Sequence, residues 1–268
     1  MRRVLGITLI LWAVCGLGVM AAAETISFRA DPWMPYTGDP ASDHPGYCIE
    51  LIKAVFEPEG YAVDYQAMPW ARDVRDVQSG EINAIVGASH TDCPQCIFPQ
   101  KPVGMIQNFF YVKKGSSWVF KGVSSLKGLR LGVIDGYSYD DGVLDAYIKD
   151  GKAPDIQKAT GDTALMTNIK KLDAGRLDVV VENNYVFSSG VTGLGLPSDG
   201  FIVAGQANEF QDIFIAFAPG KINSGVYMKI WDKGIAKLRG SGKLASILAR
   251  YSLPDWEQPH PAAIPQGK

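Results

Sequence analysis

His90, Cys93 and Cys96 lie close together in the stretch GASHTDCPQCIFP, which runs from Gly87 to Pro99. An imidazole and two thiols at this spacing can do several things. With His90 the C-x-x-C pair can hold a metal, since two intervening residues are common between cysteines at zinc sites, but no fourth ligand can be named. The pair can cycle between thiol and disulfide. A thioredoxin-like pair, however, begins a helix at its first cysteine, and Pro94 and the apolar residues after it do not supply one. In an exported protein the simplest state is a static disulfide. So short a ring gains little entropic stability, and its use would be shape. Cys48 could also pair with one of the two. Haem attachment is excluded, because Ile97 and not a histidine follows Cys96.

Other residues could do different chemistry. Glu182 and His90 are the only obvious acid or base candidates for an enzyme. Arg72, in the stretch PWAR, could clamp an anion with its planar fork, or pair with Asp73, Asp76 or another acid. Trp33 and Tyr36 could wall a pocket by stacking or pack on the adjacent surface, and Trp70 stands beside Arg72. Gly136, Tyr137, Ser138 and Tyr139 read as a helix start, whose free N–H groups make an anion site or a plain capping turn.

These residues must be positioned by the elements between them. Residues 25–30 (TISFRA) alternate as a strand and run into DPWMPY, a turn. Residues 46–59 carry apolar positions at helical spacing, ended by Gly60. A strand over 61–68, a helix over 69–80 and an apolar strand over 82–89 follow. Strands at 105–114 and within 126–139, a helix from Asp140, a helix–turn–strand over 162–184, a strand over 212–220 and closing helices over 224–252 complete the pattern. Alternating strands and helices predict an α/β protein with parallel sheets. In such sheets ligands bind outside the carboxyl ends of the strands. Here those ends are the loops 31–36, 87–91, 135–139 and 182–184, which hold aromatics, hydroxyls, glycines and carboxamides suited to a pocket.

The chain begins MRRVLGITLILWAVCGLGVMAAAE. Two arginines, an apolar run shorter than the roughly 20 residues of a membrane span and the small residues Ala21 and Ala23 predict a signal peptide over 1–23. Cys15 is a poor lipidation site, because WAV precedes it. Removing the leader removes Arg2 and Arg3 and no acids, so the 26 basic and 28 acidic residues become 24 − 28 = −4. That surface gives no reason to expect nucleic acid or an anionic membrane as partner. The tail from Pro254 is proline-rich and aperiodic, with 259–268 expected to be disordered.

In order, ADPWMPY, GYCIELIKAVF, MPWARDVRDVQSGEINAIVGAS, LKGLRLGVIDGYSY and LDAGRLDVVVENN resemble the family 3 extracellular solute-binding proteins. These are the periplasmic receptors of amino-acid-type ABC transporters. The resemblance runs from about Thr25 to Ser252. It implies a two-lobed periplasmic-binding-protein-like (type II) fold, with one lobe over 24–108 plus 213–258 and the other over 109–212. Segments 105–112 and 212–218 would be the two hinge strands. It also implies a monomer without a cofactor or metal, which holds a small molecule in the cleft and presents it to an ABC transporter permease or a membrane sensor. Binding would then use Trp33, Tyr36, Trp70, Arg72, Ser89 and Thr91 from one lobe, and Gly136–Tyr139, Glu182 and Asn183 from the other.

The departures from the family matter. Amino-acid-binding members carry an arginine shortly after the loop matching Gly87–Thr91, where it grips the α-carboxylate. Here 90–98 reads HTDCPQCIF, with no arginine. Members also carry an aspartate after the later strand for the α-amino group, and Asn183 stands there. A conventional α-amino acid is therefore not the expected ligand. Two rival readings remain: a lyase or dehydratase on the same fold using Glu182 or His90, and a metal or redox protein centred on Cys93 and Cys96.

Overall fold

The computed structural model describes residues 23–150 and 155–258. The expected leader, apart from Ala23, and the expected disordered tail at 259–268 lie outside the described residues. The strands form two five-stranded sheets of the same design. In the first, β1 (Thr25–Ala30) pairs in parallel with β2 (Ala62–Ala67) and β3 (Ala84–Ala88). An antiparallel strand, β10 (Gln211–Phe217), then joins β3, and β4 (Gly104–Ile106) forms the edge. In the second, β6 (Leu131–Ile134) is parallel to β7 (Ile156–Ala159) and β8 (Val179–Asn183). β5 (Asn108–Lys113) adds antiparallel to β8, and β9 (Phe201–Gln206) antiparallel to β5.

The inner strands are covered on both faces, so β3, β5 and β8 read as apolar runs instead of alternating. In β5 and β8, Phe110, Val112, Val179 and Val181 pack with Leu144 and Ile148 of α3 (Val143–Lys149). Their neighbours Phe109, Tyr111 and Val180 face the other way. They meet Ile169 and Leu172 of α4 (Ala164–Asp173) and Phe187 and Val191 of α5 (Asn184–Gly193). The first sheet repeats the plan. Ile26, Phe28 and Ile215 pack under α1 (Tyr47–Phe56), α6 (Ser224–Gly240) and α7 (Lys243–Ala249), while Ile85 and Ala216 face α2 (Trp70–Ser79).

Packing, not capping, holds these helices. Among the seven α-helices of the described residues, only α5 is capped by the side chain of its own N-cap residue: Asn183 accepts from the backbone N–H of Tyr185 and Val186. A cap contributes about 1 kcal/mol, whereas each fully buried Leu or Ile contributes about 1.5–3 kcal/mol.

The chain changes sheets twice, at Gln107 between β4 and β5 and at 207–210 between β9 and β10. The expected continuous strand over 105–114 is thus broken at Gln107, because its two halves pair in different sheets. Asn208 ties the crossings together. Its Oδ1 accepts from Asn108 N–H at 2.6 Å, and its carbonyl accepts from the amides of Gln107 and Gln206.

Candidate functional site

The loops and strand ends at the carboxyl side of β1, β3, β6 and β8 converge on one cleft with the strand residues that flank the two crossings. After β1, the chain makes a tight turn: Trp33 N–H donates to Thr37 O at 2.8 Å, and the Thr37 hydroxyl donates to Asp31 O at 2.8 Å. This turn lays the Trp33 ring on Tyr36, with centroids 4.4 Å apart, and Tyr36 leans in turn on Tyr47. The six-membered ring of Trp33 also lies against Gly87, where a Cβ would stand 3.5 Å from Cζ3. The aromatic wall is thus built from behind by the core of the first sheet.

Of the residues expected at the site, Trp33, Trp70, Ser89, Tyr137, Ser138, Tyr139 and Glu182 line the cleft. Thr91 stands one shell out and donates to Asp141. Tyr36 lies behind Trp33, buried, with its hydroxyl on Met105 O. Gly136 packs against Ala71 at the start of α2. Asn183 faces away as the α5 cap, its amide reaching Gln107 O at 3.4 Å. Arg72 runs along its own helix to Asp76 at 3.2 Å, the (i, i+4) pairing, and does not line the cleft. Lining residues that the spacing did not single out include Asp31, Asp92, Asn108, Asp141, Gln211 and Asp212.

The helix expected from Gly136–Tyr139 starts later, at Val143. The intervening turn is held by side chains. Asp145 accepts N–H bonds from Tyr139, Asp140 and Asp141, and Asp140 accepts them from Gly142, Leu144 and Asp145. Those N–H groups would favour an anion, and two carboxylates of the chain already occupy them.

Hydrogen bonds join the two sides across the cleft. Trp33 Nε1–H donates to Glu182 Oε1 at 3.2 Å. The Tyr137 hydroxyl donates to Asp31, and the Ser138 hydroxyl to Asp92 at 3.0 Å. Glu182 Oε1 also accepts the Asn183 N–H at 2.8 Å. Burial pushes the Glu182 carboxyl up to about 7, against the lowering effect of those N–H donors. Burial likewise raises Asp31 to about 6, against the Tyr137 hydrogen bond.

Behind Asp31 stands Asp73 on α2, fully buried, with both carboxylate oxygens unpartnered. Burial, with the Asp31 charge adding to it, raises this carboxyl to about 9. The folded state therefore keeps a proton that the unfolded chain releases near pH 4. Stability from this group is present below pH 4 and is lost as pH rises toward 9. Asp73→Asn should match the parent near pH 4 and exceed it at pH 8 by about 2 kcal/mol, scaled down from 1.36 kcal/mol per pH unit. Urea titrations at both pH values measure this, and an unchanged pH slope in the variant would refute it.

Cys93 and Cys96 are joined in a disulfide, which removes them as thiolate ligands and as a free redox pair in this state. Closing so short a ring contributes at most about 2 kcal/mol. Both sulfurs pack with Trp70, Ile85 and Ala216. Cys48 is a buried free thiol in α1. The His90 ring sits between Phe98 and Phe214, centroids 4.3 and 4.7 Å away, and does not line the cleft. Among the described residues no group of three or more His, Cys, Asp or Glu is arranged to hold a metal ion.

Comparison with known proteins places this architecture. The sequence model of the bacterial extracellular solute-binding proteins, family 3, matches residues 25–254. No curated protein sequence matches the chain. Among solved structures, a histidine kinase sensor domain with similarity to periplasmic binding proteins superposes with a TM-score of 0.70 at 19% identity, covering 86% of this chain and 96% of that one. An ancestral arginine-binding protein bound to arginine gives 0.70 at 22%, covering 86% and 99%. A substrate-binding protein of an ABC uptake transporter from Streptococcus pneumoniae, with bound histidine, gives 0.71 at 18%, covering 87% and 94%. At these identities the structural likeness is one of fold.

Proposed function

The chain belongs to the bacterial extracellular solute-binding proteins, family 3, and from that premise we propose that it captures a small polar solute in the cleft between its two sheets. The observation that carries this reading is the cleft itself. Its wall is drawn from both sheets, including Ile106 and Asn108 on either side of the first crossing and Gln211, Asp212 and Ile213 just after the second. Two crossings at Gln107 and 207–210 suit a hinge, since a few residues there can absorb a rotation of one lobe against the other. The lobes would then be 24–106 with 211–258, and 108–206.

In this reading the leader at 1–23 directs the protein to the periplasm. There a monomer would deliver its solute to an ABC transporter permease or present it to a membrane sensor. Binding and closure do the work, without chemistry. A conventional α-amino acid does not suit the cleft, because among the described residues no Lys or Arg lines it to receive an α-carboxylate.

A thermal-shift screen of the mature protein against amino acids, carboxylates, amines and sugars tests the reading. At least one class should raise Tm by mass action, by about 2.7 kcal/mol of stabilisation at a hundredfold excess over Kd. No shift from any class, with turnover of some substrate, would replace it with an enzyme on the same fold.

A further inference from the structure

The cleft is unbalanced in charge. Asp31, Asp92, Asp141, Glu182 and Asp212 line it, and among the described residues no Lys, Arg or His does. None of the five forms an ion pair among the described residues. A run of acids alone would mean little, but the hydrogen-bond donors point the same way.

Two sets of donors around the cleft could receive an anionic group, and both are already occupied by the chain. On the loop after β3, the Ser89 N–H and hydroxyl donate to Asp92 at 2.8 and 3.0 Å, and the Ser138 hydroxyl reaches the same carboxylate from the opposite side. On the turn after β6, the N–H groups of Tyr139, Asp140 and Asp141 close on Asp145. An incoming carboxylate would have to displace a carboxylate of the protein and then sit among the others.

The acceptors, by contrast, are open to a cation. Glu182 is 1% exposed and reaches the cleft wall with only neutral N–H donors on it. Asp31 meets only the Tyr137 hydroxyl there. Each of these two carboxylates is hydrogen-bonded to an aromatic residue that also lines the cleft, Trp33 in one case and Tyr137 in the other. A carboxylate beside an aromatic ring suits an organic cation, which gains charge pairing from the first and attraction to the ring face from the second.

We propose that the solute is a small organic cation without a carboxylate, an amine or a guanidine, held by Asp31 and Glu182 beside the rings of Trp33 and Tyr137. The proposal rests on the solute-binding reading and names the class of that solute.

Calorimetric titration of the mature protein with agmatine, putrescine, L-arginine, glutarate and glucose tests it. Agmatine and arginine share the guanidine and its chain and differ by the carboxylate. Agmatine or putrescine should bind at least tenfold more tightly than arginine, and glutarate should not bind. Arginine equal to or tighter than both amines, or glutarate or glucose binding where the amines fail, overturns the cation class while leaving solute binding intact. Failure of all five probes also overturns the cation class, and the wider screen above then decides the solute-binding reading separately. Glu182→Gln should weaken the better amine at least tenfold with Tm kept. If that variant does not fold, Asp31→Asn serves. Unchanged amine affinity in a folded variant overturns the assignment of the residue and with it the proposal.

Discussion

Gly46→Ala should cost at least about 3 kcal/mol of folding stability and loosen the cleft in the same step. Gly46 precedes α1 with φ 99° and ψ 143°, a conformation that side chains other than glycine's essentially do not adopt. Strain there costs about 1–3 kcal/mol by itself. A Cβ would also lie 2.3 Å from Tyr36 O and 2.6 Å from Thr37 Cα. Both are backbone atoms of the turn that carries Trp33, so they cannot rotate away as a side chain would. The turn has to move, and Tyr36 and the Trp33 ring move with it. Urea unfolding and solute titration should therefore change together. Gly225→Ala in the first turn of α6, where a Cβ meets nothing within 4 Å, is the control and should gain about 0.5 kcal/mol. Equal stability of the two variants would show that the Gly46 backbone is not constrained as described.

Trp33→Ala should raise the Kd of the solute found in the screen by about a hundredfold, which is about 2.7 kcal/mol. Large effects of this kind belong to buried aromatic anchors at the centre of an interface. Trp33 meets that description, stacked on Tyr36, seated over Gly87 and bonded to Glu182. Trp33→Phe keeps the ring over Gly87 but loses the N–H that Glu182 accepts, and should cost about tenfold. The gap between the two variants separates the wall from the hydrogen bond. Because the ring is buried, truncation also costs about 3 kcal/mol of stability, so titrations belong well below the melting transition, checked by circular dichroism. A Trp33→Ala protein that stays folded and binds within threefold of the parent would remove Trp33 from the site.

Much of the fold was legible in the sequence, for a physical reason. Apolar runs such as AIVGA and VVVEN become strands of a sheet covered on both faces, and their hydrophobicity is a local property. The resemblance to family 3 solute-binding proteins holds over nearly the whole chain. Elements without strong periodicity escaped: α5, which contains NYVFSSGVTG, and β9, FIVAGQ, are mixed in composition and are fixed by the core they complete. The break at Gln107 was hidden too, because GMIQNFFYVK reads as one strand and only pairing in two sheets divides it.

The site divides in the same way. The sequence by itself determined that strand ends would carry Trp33, Ser89, Tyr137, Ser138 and Glu182, and that no arginine follows Thr91, because both facts depend on order along the chain. Only the tertiary structure decided that Asp31, Asp92, Asp141 and Asp212 would stand with Glu182 around one cleft. Each reads as an ordinary loop acid in its own segment. What a carboxylate does depends on burial and on the donors that reach it, and here those donors come from the opposite sheet, from a nearby turn or, for Glu182, also from the next backbone N–H. The same dependence turned the expected anion site at Gly136–Tyr139 into a turn closed by Asp145. It also left Asp73 buried without a partner and Arg72 paired along its own helix.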